Sequence, residues 1–350
     1  MMAAAVSRFR GSLLGALLGD CIGAVFEGHT NVTKEFLFDY MKSLDKGERL
    51  KSVLTYTDDT AMARSIVQSI LENDEFDVDD LADRFTTEYY RDPDRGYGMA
   101  VVHVFEKLAS GEYKYVFSPA KEQFDGKGSY GNGAAMRVVG IPLAYPRIPD
   151  VIEYAKTSGM LTHASSLGYN GAILQALAVH YALQEELTPE TFLDQLLDHM
   201  KEVETDKRSR SDALELEMDE FPYCNKLKKI KAFLAREDVT RKDIIKELGN
   251  GIAALESVPT AIYSFLRCLK PVPELPSELT NLQQTIAFCI MLGGDTDTIA
   301  TMAAAIAGAY HGEEQIPLNW KLSAESYKDA EDWGEKLHQL YCKRLQSTTS

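Results

Sequence analysis

An all-α fold, built as one orthogonal helical bundle, is what the 350-residue sequence predicts, and three observations predict it. Apolar residues recur at i, i+3, i+4 and i+7 through much of the chain, the period of a half-buried helix. Two-residue alternation, the mark of a half-buried strand, is almost absent. No proline-rich or Gly/Ser-rich linker divides the chain. The helical pattern first appears over 7–19, where Phe9, Leu13, Leu14, Leu17 and Leu18 form an apolar face before glycines interrupt it. It returns over 60–72 and 98–109. The segment 166–183 is apolar nearly all round from Leu167 to Tyr181 and reads as a central buried helix. The pattern continues over 189–200, 258–269, 280–292, 298–310 and 326–345. With the segments between, roughly a dozen or more helices are expected. The run Lys51–Tyr56 could be extended, but no set of strands supports a sheet. The polar stretch Lys201 to Asp212, with Lys207-Arg208-Ser209-Arg210, reads as a solvated surface loop. A single domain is expected over 1–350, with flexible ends at about 1–6 and 346–350.

Bulk properties remove several function classes. A net charge of −16 argues against a nonspecific polyanion binder, because counterion release needs clustered Lys and Arg. It leaves a nucleotide pocket open, since a few local donors or a metal can offset the field. The five cysteines are scattered without a C-x-x-C pair, which fits reduced thiols inside a cell. No apolar run reaches the ~18 residues of a membrane span. The stretch Leu13 to Val25 is broken by Gly15, Gly19, Asp20 and Gly23. Arg8 and Arg10, without an acid in the first 19 residues, faintly echo a mitochondrial presequence, but the apolar face of 7–19 favours a core helix. There is no heptad seam, so a monomer is expected.

Two acidic clusters each open a helix. Thr57-Asp58-Asp59-Thr60 precedes an Ala/Met-rich segment, and Gly293-Gly294-Asp295-Thr296-Asp297-Thr298 precedes another. One capping residue satisfies a helix start. Two Asp per start, flanked by Thr hydroxyls, exceed that need. Carboxylates and hydroxyls are hard oxygen donors, suited to Mg²⁺, Ca²⁺ or Mn²⁺ rather than zinc. If the two starts meet, they form a cage for more than one divalent ion. Glu27, in a glycine-bounded segment after the first helix, could reach into such a cleft or simply be solvated. Asp20 could back the metals or be a helix-end surface charge.

The run Gly126-Lys127-Gly128-Ser129-Tyr130-Gly131-Asn132-Gly133 contains G-x-G-x-x-G. No buried strand precedes it, so the dinucleotide-fold reading fails. No Gly-Lys-Ser/Thr closes a Walker A loop. Its glycines can still present backbone N–H groups to a phosphate or diphosphate, with Ala134 to Val139 beginning a helix. Phe124 and Tyr130 flank it and could stack on a base, or be core aromatics beside a turn. Leu161-Thr162-His163-Ala164-Ser165-Ser166 holds a lone His, more often a structural hydrogen-bonder than a ligand. Ser166 and Cys21 have no His/Asp spacing for a hydrolytic triad. Arg95-Gly96-Tyr97-Gly98 could be a ligand loop or an ordinary turn.

In order along the chain, Gly15-Ala16-Leu17-Leu18-Gly19-Asp20 with Glu27, Thr57-Asp58-Asp59-Thr60, Gly128 to Gly133, and Gly293 to Thr298 resemble the motifs of the ADP-ribosylhydrolase family, which includes the dinitrogenase-reductase-activating glycohydrolases. Within it, Asp94 to Gly98, Thr162 to Gly171 and Glu256 to Tyr263 are most similar to the third vertebrate branch, the serine-linked ADP-ribose and poly(ADP-ribose) hydrolases. The resemblance implies a nearly all-helical domain. It implies that Thr57, Asp58, Asp59, Asp295, Asp297 and Thr298 hold two Mg²⁺ ions, with Glu27 as the essential acid at the metals. It places the substrate on Gly96, Phe124, Gly128, Ser129, Tyr130, Gly131, Asn132 and His163. The implied partners are ADP-ribosylated proteins and poly(ADP-ribose), with ADP-ribose as product; neither a membrane nor direct sequence-specific nucleic-acid binding is implied. The implied setting is nucleus and cytoplasm, in reversal of DNA-damage signalling. A longer Ala-rich leader is characteristic of that branch, which leaves the mitochondrial matrix a secondary expectation. Alternatives are an arginine-linked ADP-ribosylhydrolase of the same family and a noncatalytic ADP-ribose binding module.

Overall fold

The computed structural model describes residues 5–29, 32–73, 75–184 and 188–347, and among them no strand forms. Two isolated bridges, Leu54 with Ala324 and Gly131 with Ala253, are the extended contacts found there. The first third of the chain folds as α1 (Val6–Gly23), α2 (Lys34–Asp45), α3 (Asp58–Asn73), α4 (Val78–Arg91), α5 (Met99–Ser110) and the short α6 (Ser118–Glu122). Thr33 and Asp77 cap α2 and α4 through side-chain oxygens that accept from the first-turn amides. After the glycine loop come α7 (Gly140–Ala144), α8 (Ile148–Met160), α9 (Ser166–Ala182), α10 (Pro189–Val203), α11 (Lys207–Glu215), α12 (Pro222–Leu234) and α13 (Arg241–Glu247). Capping boxes start α10 at Thr188 and α13 at Thr240. The last third is α14 (Ala254–Arg267), α15 (Asn281–Leu292), α16 (Thr296–His311), α17 (Leu318–Ser323) and α18 (Tyr327–Ser347).

The expected central helix is there: all of α9 is buried, as its unbroken apolar sequence requires. The first helix differs from expectation. It does not break at its glycines but runs through them to Gly23. Gly11, Gly15, Gly19 and Gly23 recur every four residues and so share one face. That face lies directly on α16, antiparallel. A Cβ at Gly15 would stand 2.3 Å from the Ala304 carbonyl oxygen, and one at Gly19 2.3 Å from that of Ala300. A Cβ at Gly23 would stand 2.5 Å from Asp297 Cα. The missing side chains let the two backbones touch, and the C-terminal end of α1 thereby meets the N-terminal end of α16.

Two further expectations are corrected. The stretch 201–212 is not a loop: α11 begins at Lys207, with Asp206 accepting from the amides of Arg208 and Ser209. The segment after the glycine loop does not start an α-helix at Ala134. It makes a 3₁₀ turn over Asn132–Ala134 and regular helix only from Gly140. Val6 opens α1 and α18 reaches Ser347; most of the ends expected to be flexible, residues 1–4 and 348–350, lie outside the described residues. Among these residues no helix is long and apolar enough to cross a membrane.

Candidate active site

The first acidic cluster is set by a cap from another helix. Asp20, fully buried on α1, accepts from the backbone N–H of Thr57 (3.0 Å) and of Thr60 (3.1 Å) and from Thr60 Oγ1 (2.6 Å). A helix start needs such acceptors for its free amides. Because Asp20 supplies them, Asp58 and Asp59 keep their carboxylates for other work. Arg95 completes the frame. Its carbonyl accepts from Asp58 N at 2.8 Å, while its guanidinium forks onto Glu325 at 2.7 and 2.9 Å.

The second cluster is set by glycines and Asn250. Gly293 and Gly294 both take positive φ, 70° and 78°, a conformation glycine adopts without a Cβ clash. Asp295 N then donates to the Asn250 carbonyl at 2.9 Å. The close approach of α1 carries Glu27 to the same place. Carboxylate oxygens of Glu27, Asp295 and Asp297 lie within 4.8 Å of one another. Asp58 and Asp59 stand outside that tight trio, yet the helix starts do meet: Thr298 Oγ1 donates to Asp59 Oδ2 at 3.4 Å. Asp59 is also bonded by Thr57 Oγ1 at 3.3 Å.

The electrostatics are those of crowded acids. Burial first, and neighbouring carboxylates second, push Asp58 up to about 7 and Asp297 to about 9. Asp59 is raised well above the usual carboxylate range by burial and then by Asp20 and Asp297. Glu27, although exposed at its tip, is raised by desolvation and by Asp295. Asp59 Oδ1 is buried without a hydrogen-bond partner among the described residues. Hard oxygen donors, mutual repulsion and an unpartnered buried carboxylate oxygen fit a hard divalent cation.

The glycine loop borders this cluster. Asn132 Nδ2 donates to Asp295 Oδ2 at 2.5 Å, so loop and cluster share one hydrogen bond. The loop is pinned on its other side by Asn132 N to the Ile252 carbonyl and Ala254 N to the Tyr130 carbonyl. Gly126 and Gly128 have φ of 85° and 77°, and even Phe124 and Asp125 are held at positive φ. Phe124 and Tyr130 are 54% and 49% exposed, so they are not core aromatics and stand free for a flat partner. Ser129 Oγ accepts from Gly131 N at 3.2 Å and shapes the turn. His163 is buried beneath. Its ring would meet a Cβ at Gly133 at 2.9 Å, and its Nδ1 lies 2.8 Å from Thr162 Oγ1. Burial and the nearby Arg137 drive its pKa down to about 3, so it is neutral. Gly96 lies beside the first acidic cluster, where a Cβ would be 3.9 Å from Asp58 Oδ1.

A family model for ADP-ribosylglycohydrolases matches residues 1–346. The chain belongs to the ADP-ribosylglycohydrolase family. That is an enzyme family, whose members hydrolyse glycosidic bonds of ADP-ribose. Among its relatives, ADP-ribosylhydrolase ARH3 of Xenopus tropicalis is 92% identical over the whole of both chains. ADP-ribosylhydrolase ARH3 of Homo sapiens is 55% identical, covering 97% of this chain and 95% of its own. A solved "ADP-ribosylglycohydrolase-related protein complex" shares the fold, with a TM-score of 0.61 at 20% identity over 96% of this chain and 98% of its own.

The acids Glu27, Asp295 and Asp297 come together, Thr298 ties them to Asp59, and the hydrogen bond between Asn132 and Asp295 ties them to the glycine loop. Asp20 had two readings and proves to be a buried acid behind the cluster, capping α3. Two supporting residues were not foreseen. Asn250 gave no signal, because its carbonyl on Asp295 N and its Nδ2 on the Leu292 carbonyl both act across a long sequence separation. Arg137 did leave one: a lone cation in the otherwise apolar run Ala134 to Ala144.

Proposed function

We propose that this protein hydrolyses the bond between C1 of the distal ribose of ADP-ribose and an acceptor oxygen. The substrates are serine-linked ADP-ribose on proteins, ribose–ribose links of poly(ADP-ribose) and related O-linked esters. The whole chain acts as one monomeric unit in nucleus and cytoplasm, reversing ADP-ribosylation in DNA-damage signalling. The observation that carries the reading is the Asn132–Asp295 hydrogen bond joining the glycine loop to the acid cluster. It sets an anion site and a cation site side by side, as a diphosphate attached to a reacting ribose requires. The narrower serine and polymer specificity, and the localisation, rest on the resemblance.

Two Mg²⁺ ions fit the donor set, held by Glu27, Thr57, Asp58, Asp59, Asp295, Asp297 and Thr298, and would supply Lewis-acid stabilisation of oxygen charge. The protein's own groups do the rest. The amides of Gly128, Gly131 and Asn132 are already engaged within the protein, so those of Ser129 and Tyr130 hold the diphosphate, and Phe124 and Tyr130 pack on adenine. Asn132 fixes the loop's distance from the acids. Cleavage passes through an oxocarbenium-like state, and the surrounding carboxylates stabilise its positive charge. Glu27 stands at the exposed edge of the trio, where it can take a proton from water or pass one to the leaving oxygen. Its raised pKa suits a group that both holds and releases a proton.

The test is product analysis on matched serine-linked and arginine-linked peptides and on poly(ADP-ribose), each with and without Mg²⁺. Free ADP-ribose from the serine peptide and the polymer, only with Mg²⁺, is the expected result. Release from the arginine peptide alone would replace the proposal with the C–N hydrolase. Tight ADP-ribose binding without turnover of any substrate would replace it with a binding module.

A further inference from the structure

Arg137 is the largest charged side chain with no exposed surface, and it lies beneath the glycine loop. Its hydrogen-bond partners among the described residues are uncharged. Nη1 donates to the Gly133 carbonyl at 3.0 Å, and Nη2 donates to the Ser158 carbonyl at 2.9 Å and to Thr162 Oγ1 at 2.7 Å. The Phe85 ring lies 4.6 Å away, and Nε has no hydrogen-bond partner. A buried guanidinium without a paired carboxylate is costly, and apolar packing alone would be met better by Met or Leu. The cost needs a return elsewhere.

Its surroundings indicate where. The neighbouring cleft is lined by the carboxyl groups of Glu27, Asp58, Asp59, Asp295 and Asp297, and no charged partner for a diphosphate comes from that side of the loop unless a cation is bound there. The loop's own lysine, Lys127, is turned away into an ion pair with Glu215 at 3.1 Å. Arg137 grips Gly133 in the loop directly. It also holds Thr162, which in turn holds His163, and the His163 ring packs under Gly131 and Gly133.

We infer that Arg137 is a positioning residue for the diphosphate of ADP-ribose. From below the loop it holds the loop backbone through Gly133 and through Thr162 and His163, and it supplies the positive charge that offsets the acids. The inference rests on the ADP-ribose reading above.

The experiment titrates ADP-ribose and Mg²⁺ separately, by calorimetry, into wild type, Arg137→Met and Arg137→Lys, with melting temperatures recorded alongside. Arg137→Met should weaken ADP-ribose binding by roughly tenfold or more, the scale of one charge-assisted contact. Mg²⁺ binding in the absence of nucleotide should be unchanged or tighter, because a cation near Asp58 has gone. A loss for the anion with none for the cation does not follow from loosened packing. Unchanged ADP-ribose affinity, or equal losses for both ligands, would overturn the inference. If Arg137→Met does not fold, Arg137→Lys decides. It should bind Mg²⁺ as wild type does and ADP-ribose severalfold more weakly, and parity or equal losses would again overturn the inference. A wild type that binds no ADP-ribose overturns the ADP-ribose reading itself.

Discussion

Glu27 sits where burial ends. Its carboxylate is close enough to Asp295 and Asp297 to feel them, yet its surface is open. Glu27→Gln keeps the size and removes the basicity. Turnover of serine-linked substrate should fall by at least about a hundredfold, with ADP-ribose affinity nearly unchanged. Single-turnover kinetics and calorimetry on one preparation would check both, and wild-type kcat in the variant would remove Glu27 from the chemistry. His163 makes a prediction about acid. Folded, its pKa is near 3; unfolded, it returns toward 6.5. Between those values the unfolded chain binds the extra proton, so stability is complete above 6.5 and declines as pH falls. His180 and His311, each lowered to about 4 by burial, act in the same sense, while the raised carboxyls of Asp58, Asp59 and Asp297 act in the opposite one. The test is therefore the difference between two proteins: from neutral pH to about pH 5 the melting temperature of wild type should fall relative to that of His163→Gln, and a constant difference would refute it. At this scale the acids were legible, because two Asp per helix start exceed what capping needs. The depth of His163 was not, because burial of one ring depends on glycines thirty residues earlier.

Helices with strong periodicity were legible as elements, and α9, α14, α15 and α16 lie close to where their apolar spacing puts them. What the pattern hid was the meaning of its gaps. Gly15, Gly19 and Gly23 read as interruptions when a helix is judged alone, yet with Gly11 they are its contact surface. Gly19→Ala should overpack α1 against the Ala300 carbonyl and destabilise the fold by about 1–3 kcal/mol or more. Gly98→Ala is the control, since nothing lies within 4 Å of its Cβ position. Denaturant midpoints would separate the two, and equal midpoints would refute the seam. α11 was missed for a different reason. Its charge run looks solvated, but Asp212 reaches from it to the Ser166 N–H at 2.8 Å and starts α9. Such a cap joins residues far apart in sequence and leaves no local spacing to read. The loop makes its own prediction: Tyr130→Ala should cost about 1–3 kcal/mol in ADP-ribose binding if the ring stacks on adenine. Unchanged calorimetric affinity would reassign it.

Taken as one molecule, the protein brings several buried acids together before any cation arrives. A divalent ion that binds only the native state should therefore stabilise it, by about 2.7 kcal/mol at 100 times Kd for one site. Mg²⁺ should raise the melting temperature of chelator-treated protein, and Asp297→Ala should remove most of that rise. A wild type indifferent to both Mg²⁺ and chelator would mean that the ions join only with substrate. The α1–α16 seam also bears on how the molecule is born. Its two sides are separated by most of the chain, so the contact that assembles the acids is among the most non-local the protein makes. A chain still emerging from the ribosome holds Glu27, Asp58 and Asp59 early, but gains nothing to pair with them until α16 is released. Activity should then appear abruptly and late in synthesis, and a product cut before α16 should retain none of it, however much of its helix it keeps.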